Sequence, residues 1–248
     1  MAKPSVATKV AEKIGPQVMR SWSHSKLGDF EKCKKLTWLK HIKRVPEPER
    51  PLPPGKTEHA NDRGSRVHDG NEHFVDGTSD TFPKESAQFA SELERLRDMH
   101  PHGIVMLEQE WGMSRDWEPT DYRTAWLRLK LDALAFLTPT EAVAIDYKTG
   151  KRFGNEIKHG EQLNLYALVT FLRFPMLETV HTELWYLDVD WLERKTFTRE
   201  QSMRFKANWD KRGNTITTNT EWSANPNIHS CKWCPYKGTE HCPEGVLG

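Results

Sequence analysis

The segment Ala142-Val143-Ala144-Ile145-Asp146-Tyr147-Lys148 constrains the fold of this chain more than any other. Apolar side chains occupy both of its faces up to Asp146, the pattern of a strand in a sheet covered on both sides. It then ends in a carboxylate and an ammonium two positions apart, and in a strand such residues leave from the same face. A charged pair at the end of a buried strand requires compensating chemistry.

A second apolar run, Leu127 to Leu137, precedes it across Thr138-Pro139-Thr140-Glu141, so the two form a candidate hairpin. A three-residue loop centred on Pro139, or a bulge, sets Asp132 opposite Asp146 with β-carbons about 5 Å apart. A regular four-residue loop instead pairs Leu137 with Ala142 and turns Asp132 to the wrong face, opposite Tyr147. In the first register two carboxylates and Lys148 converge. Two such carboxylates repel and one pKa rises unless a cation lies between them. A hard divalent ion, Mg²⁺ or Mn²⁺, suits oxygen ligands of this kind, with water and phosphate completing its shell. A lysine beside it orients or deprotonates an attacking water, which is a layout for metal-assisted phosphodiester hydrolysis. Exposed at a wet edge, the same Asp-x-Lys would be an ordinary surface ion pair.

The cysteines give the second signal. Cys231 and Cys234 stand in Cys-x2-Cys spacing, Cys242 follows closely, and Cys33 lies far upstream. That is metal-ligand spacing, and four thiolates hold either Zn²⁺ or a [4Fe-4S] cluster.

The order His68, Asp132, Asp146-x-Lys148, Gln162-x3-Tyr166 resembles the PD-(D/E)xK nuclease superfamily, and specifically its RecB-like branch. Asp62 to Glu72 is similar to the helix that carries the histidine in that branch, and Gly160 to Ala167 to the helix that carries Gln and Tyr. The resemblance implies an α/β domain with a restriction-endonuclease-like core, a central mixed β-sheet flanked by helices. It implies that His68, Asp132, Asp146 and the Tyr147 carbonyl hold Mg²⁺ or Mn²⁺, that Lys148 positions the attacking water, and that Gln162 and Tyr166 orient water or phosphate. Gln162 and Tyr166 share a helix face; taken alone, Tyr166 reads equally as a core aromatic. Glu108 and Glu110, evenly spaced in a strand-like run, are supporting carboxylates that the sequence does not separate.

One cysteine before the nuclease core and three after it also resembles the AddB nuclease domain and the CRISPR-associated RecB-like exonucleases, as does Phe30-Glu31-Lys32-Cys33. The resemblance implies a [4Fe-4S] cluster on Cys33, Cys231, Cys234 and Cys242, with Zn²⁺ as the alternative. Such a cluster staples the N- and C-terminal periphery, closing a loop of about two hundred residues whose closure entropy opposes folding. The implied activity is a DNA exonuclease acting on single strands or ends, 5′ to 3′ by analogy with the iron-sulfur relatives. A structure-specific endonuclease and a non-catalytic iron-sulfur or zinc scaffold are the alternatives.

At 248 residues, 36% hydrophobic and 29% charged, the chain is long enough for one domain with a substantial core. We divide it into an N-terminal region over 1–60, a nuclease core over 61–212 and a cysteine tail over 213–248. Net charge is only +1, yet Lys26, Lys32, Lys34, Lys35, Lys40, Lys43 and Arg44 make the surroundings of Cys33 basic, as a DNA contact or a solvated helix face. No stretch has the length of a membrane span, and Met1 to Arg20 lacks an apolar signal region, so a cytoplasmic protein with reduced thiols is expected, in a host's cytoplasm if phage-encoded. DNA is the expected partner, with recombination or replication proteins as further ones; oligomeric state is open.

Along the chain we read a helix over Ser25 to His41, a proline-rich loop from Pro46 to Pro54, the His68 helix, and a helix over Ser86 to Met99. Strands follow at 104–111, 124–137 and 142–148, then the Gln162 helix to Phe171 and a strand over Thr182 to Val189. Thr198-x-x-Gln201 forms a capping box opening a helix to Lys211, and 213–248 reads as irregular.

Overall fold

The computed structural model describes residues 18–150, 152–154 and 156–246. Most of the stretch read as lacking a signal region, residues 1–17, lies outside the described residues. The chain forms two compact units, one from residues up to Arg50 together with those from Asp210 onward, the other Pro51–Trp209.

The second unit is built on a six-stranded sheet of order β2-β1-β3-β4-β5-β6. Its strands are β1 (Val105–Met113), β2 (Pro119–Thr120), β3 (Leu127–Thr138), β4 (Glu141–Lys148), β5 (Thr179–Tyr186) and β6 (Trp191–Thr198). All neighbours are antiparallel except β4 and β5, which run parallel. A parallel pair needs a crossover, and helix α5 (Glu156–Arg173) supplies it. The central sheet is therefore mixed, with helices on its faces. One face carries Ala133, Ala135, Val143, Ile145, Tyr147 and Trp185, buried with Val67 and Phe74 of α3 (Ala60–Val75) and Leu93 and Leu96 of α4 (Ala90–Met99). On the other, Leu184 and Tyr186 pack against Leu163 of α5. The alternating apolar run of β4 thus has a helical layer for each set of side chains. Close approach of α3 to its neighbouring loop depends on Gly70, where a β-carbon would lie 2.5 Å from the Pro83 ring.

The hairpin takes the register that opposes the two aspartates. Ala133 pairs with Ile145 and Phe136 with Ala142, then the register shifts so that Thr138 meets Glu141. Leu137 is the bulged residue, and the turn shortens to Pro139-Thr140. Extended one step, the same register puts Asp132 opposite Asp146.

Helix α6 (Arg199–Thr218) opens with the expected capping box: the Thr198 amide donates to Gln201 Oε1 (2.9 Å) and the Gln201 amide to Thr198 Oγ1 (3.3 Å). It runs past Lys211, so residues 213–218 are helical and not irregular as read. Helix α7 (Ile228–Cys231) is a second departure from that reading. Strand β6 lies in polar sequence that gave no period-two signal, and the Thr182–Val189 strand is displaced to Thr179–Tyr186. The helix read over Ser86 to Met99 opens as a 3-10 segment, Lys84–Phe89, before α4.

In the first unit the helix read as continuous over Ser25 to His41 is broken at Cys33. Helix α1 (His24–Lys32) ends there, Cys33 is extended at φ −162°, and α2 (Lys34–Thr37) restarts and widens into a π-helix over Trp38–Lys43. The break is held by hydrogen bonds from the tail segment: Asn225 Nδ2 and Ser230 Oγ both donate to the Lys32 carbonyl, at 3.2 and 3.1 Å. Arg212 adds a two-pronged ion pair to Glu31 at 2.7 and 2.8 Å. No helix among the described residues is long and apolar enough to cross a membrane.

Arg199 fixes the far end of α5. Its guanidinium donates to the carbonyls of Phe171, Phe174, Pro175 and Leu177 at 2.8 to 3.0 Å, satisfying groups that the helix terminus leaves open. A lysine has no planar fork to reach four acceptors. Arg199→Lys should lower the unfolding free energy by about 2 kcal/mol, measured as a denaturant midpoint shift at unchanged slope; an unaltered midpoint would show that the clamp contributes nothing.

Candidate active site

β3 and β4 are paired from Thr138↔Glu141 only as far as Ala133↔Ile145. Beyond that rung β3 continues with β1, and β4 continues with β5. The sheet forks, and Asp132 and Asp146 stand on the two prongs. The separation leaves room for a side chain to take a main-chain donor: the Tyr147 amide gives its hydrogen to Asp132 Oδ2 at 2.6 Å.

Three side chains come together on one side of the fork. His68 Nδ1 of α3 is 3.1 Å from Asp132 Oδ1. His68, Glu108 and Asp132 each offer a ligand atom within 4.8 Å of the others, the one such group among the described residues. Glu108 sits in β1 at φ +45°, a left-handed conformation uncommon for a side chain of its size. Leu107 pairs with Ala133 and Gln109 with Leu131, so the strained residue occupies the Asp132 rung and breaks the ladder there. The even-spacing argument that put Glu108 and Glu110 on an equal footing fails for this reason: Glu108 is half-buried in the group and Glu110 is exposed and outside it. Glu108 Oε2 pairs with Lys130 Nζ at 2.7 Å, while Oε1 is buried with no partner. A desolvated carboxylate oxygen without a donor, beside an imidazole and a second carboxylate, fits a divalent cation of oxygen and nitrogen preference.

Asp146 is not in that group. Its Oδ1 receives Gln162 Nε2 at 3.0 Å and the Tyr166 hydroxyl at 2.7 Å, and Lys148 Nζ lies against Oδ2. Gln162 Oε1 accepts from Lys148 Nζ at 3.1 Å, and its Nε2 also reaches the Tyr166 oxygen at 2.6 Å. Both ends of the amide are engaged, which fixes its orientation. Tyr166 is buried and also lies 3.1 Å from the Lys130 carbonyl, so its single proton serves either that oxygen or Asp146. The sequence-derived residues Asp132, Asp146, Lys148, Gln162, Tyr166 and His68 therefore converge in the fork, split between two connected clusters. Tyr147 contributes its amide and an edge-on ring contact to His68 at 5.6 Å between centroids.

The electrostatics follow from burial. Desolvation, then the Asp146 charge, push Asp132 above the ordinary carboxylate value. Desolvation alone would lower His68, but Asp132, Asp146 and Glu108 outweigh it and raise its pKa. Burial beside Asp146 keeps Tyr166 a neutral phenol, well above its usual pKa. His159, one turn before Gln162 and hydrogen-bonded to the Tyr186 hydroxyl at 2.6 Å, is held down to about 4 by burial and by the Lys148 charge. Beyond Lys148 the chain runs along a cleft of about 1210 Å³ lined by Thr149, Gly150, Lys56, Arg63, Arg66 and Lys84. Within it Arg63 is paired to Asp188 and Arg66 to Glu58 and Glu85.

The first unit gathers the four thiols. Cys33, Cys231, Cys234 and Cys242 line one cavity with Leu36, Leu39 and Tyr236, and none is in a disulfide. The Asn225 amide donates to Cys33 Sγ at 3.4 Å. Burial raises the Cys234 and Cys242 pKa values, and neighbouring cysteines add to the effect. Four free thiols on one cavity are a donor set for a thiolate-bound metal group.

The sequence profile of the PD-(D/E)XK nuclease superfamily matches residues 21–239. Among solved structures, a crystal structure of SSO0001 is similar with a TM-score of 0.44 and 14% sequence identity, over 97% of this chain and 95% of that chain. No curated protein matches the sequence. The profile runs through both prongs of the fork and both helices that serve it, and the chain belongs to the PD-(D/E)XK nuclease superfamily.

Proposed function

We propose that the protein is a divalent-metal-dependent deoxyribonuclease of the RecB-like branch, an exonuclease acting on single strands or DNA ends. The observation that carries the reading is the group of His68, Glu108 and Asp132, in which Glu108 Oε1 is buried and partnerless, on the rung where Asp132 lies opposite Asp146. His68, Glu108 and Asp132 would hold Mg²⁺ or Mn²⁺, with Asp146 and the Tyr147 carbonyl completing the set as the family pattern implies. The bound ion supplies charge neutralisation on the scissile phosphate and eases deprotonation of the attacking water.

The remaining chemistry belongs to the protein. Lys148 has three protons; one meets Asp146, one Gln162, and the third is free for the attacking water or a phosphate oxygen. Gln162, fixed at both ends, holds Asp146 through its Nε2 and accepts from Lys148 through its Oε1, so it orients both. Tyr166 braces Asp146 as a neutral donor and takes no charge itself. Attack by the water oxygen on phosphorus breaks the bond to the 3′ oxygen, which takes a proton and leaves as hydroxyl, with the phosphate on the 5′ side. The cleft that begins at Thr149, where Lys56 and Lys84 stand beside the acid-paired Arg63 and Arg66, is a path for the strand.

End-labelled single-stranded and duplex DNA should be cut with Mg²⁺ or Mn²⁺ and not with EDTA. The labelled end reads polarity and separates exonuclease ladders from internal cuts. Lys148→Ala should reduce the rate by about 10² to 10³-fold, and a variant that cuts at the wild-type rate would refute the site.

The pH dependence has a defined sign. His68 and Asp132 both bind protons more tightly folded than unfolded, so their contribution to stability is greatest at low pH and is lost as pH rises through their raised values. Divalent ions need both groups deprotonated, so metal affinity grows across the same interval. The Mn²⁺-induced rise in unfolding temperature should be small near pH ~5.5 and large near pH ~8. Without metal, wild type should lose its advantage over His68→Gln across that range; an advantage that grows with pH would contradict the assignment.

For the first unit the same reading places a [4Fe-4S] cluster on Cys33, Cys231, Cys234 and Cys242. It is supported by four free thiols on one cavity, two of them in Cys-x2-Cys spacing. Anaerobically purified protein should be coloured and contain iron and sulfide, and Cys234→Ser should lose both while Lys148→Ala keeps them. Colourless protein containing stoichiometric zinc would replace the cluster with a zinc site.

A further inference from the structure

The loop that follows the catalytic lysine exposes aromatic surface that the site does not use. Phe153 is 77% exposed, Ile157 in the first turn of α5 is 84% exposed, and Trp191 at the start of β6 is 44% exposed. The two rings, Phe153 and Trp191, are gathered around one cation. The Arg152 guanidinium lies 3.9 Å from the Trp191 ring centroid and 5.4 Å from that of Phe153. Among the described residues no carboxylate pairs with Arg152, whereas Arg63 and Arg66 in the cleft are each held by acids. The Glu156 carboxylate at the start of α5 feels the Arg152 charge without forming an ion pair with it, and Arg152 Nε is buried without a hydrogen-bond partner.

The sheet places this group relative to the scissile site. Lys148 pairs with Tyr186 across β4 and β5, and Tyr186 pairs with Trp191 across β5 and β6. Lys148 reaches Gln162 and Tyr186 reaches His159, so this rung faces α5, and Trp191, as the next partner, faces the same way. Two strand spacings put Trp191 about 10 Å from Lys148, roughly two or three stacked nucleotides.

We infer that Phe153 and Trp191, with Arg152 between them, form a stacking platform for unpaired bases of the strand whose phosphate lies at Lys148. The inference rests on the nuclease reading and specifies its substrate. Aromatic faces accept any base that is not already paired, and a stacked guanidinium adds cation–π attraction and a phosphate contact. A duplex offers no free base face except at a frayed end. The platform therefore selects single strands, or the unwound terminus of a duplex, by a mechanism separate from charge attraction by the cleft lysines. An apolar patch closed by a second copy of this chain would bury the same rings without an open cation.

The test is binding in EDTA, so that cleavage plays no part. Fluorescence anisotropy would compare a labelled oligothymidylate with an abasic oligomer of equal length and charge. Wild type should bind the oligothymidylate about 5- to 150-fold more tightly, the range expected for stacking of one base. Phe153→Ala with Trp191→Ala should abolish that ratio and leave abasic binding unchanged, and Phe153→Tyr should preserve it. Phe153→Ala alone, at an exposed position, guards against a folding defect in the double variant. Equal wild-type affinity for the two oligomers would overturn the inference, as would loss of abasic and base-bearing binding together. A patch that instead joins two copies would show as a dimer that the double variant dissociates, and would overturn it too. A wild type that cuts DNA but ignores bases leaves the nuclease reading standing alone. One that discriminates bases but never cuts DNA removes only the nuclease reading.

Discussion

The repulsion between Asp132 and Asp146 organises the sheet-bearing unit. Two buried carboxylates at opposed strand positions cannot both ionise cheaply in a low-dielectric interior. The structure responds by parting the strands at that rung and surrounding each acid with its own donors. Asp132 takes the Tyr147 amide and His68; Asp146 takes Lys148, Gln162 and Tyr166. The side-chain donors beyond the strand itself arrive from both helical layers, His68 from α3 and Gln162 and Tyr166 from α5. Both helices are thereby tied to the fork, and the sheet is clamped where its own hydrogen bonds run out.

Much of this was legible in the sequence because it follows from short-range periodicity. The i, i+2 relation of Asp146 and Lys148 and the i, i+4 relation of Gln162 and Tyr166 are properties of strand and helix geometry alone. The register was the doubtful step. It depends on the Leu137 bulge, and bulges are not encoded by apolar alternation. The capping box at Thr198 announced a helix start correctly, but nothing comparable marks its end at Thr218. Polar β6 earns its place only by pairing with β5.

Glu108 shows why the rest was hidden. The sequence offers two glutamates in an extended run and no local reason to prefer either. What distinguishes them is a left-handed φ, for which the usual signal is Gly, Asn or Asp. That conformation costs on the order of 1 kcal/mol or more, and such residues persist where surrounding structure over-determines them. Lys130 does part of that work by binding Oε2. Cys33 is a parallel case: an extended residue between two helical segments, placed by tail residues far away in sequence, where a local reading continues the helix.

Strain at Glu108 and the unpaired Oε1 point the same way. A carboxylate held in an unfavourable backbone conformation, with one oxygen buried and unsatisfied, makes the metal-free protein less stable than its fold permits. Replacing the strain or the charge would stabilise that state, and the arrangement suits a partner that supplies the missing interaction. A divalent cation at the rung where the sheet has opened would do so. The same opening admits His68 from one face and leaves Asp146 to position Lys148 from the other. The left-handed kink, the bulge and the fork are thus three backbone departures from a regular sheet that share one consequence, a set of acids able to face a common ion without losing the lysine beside them.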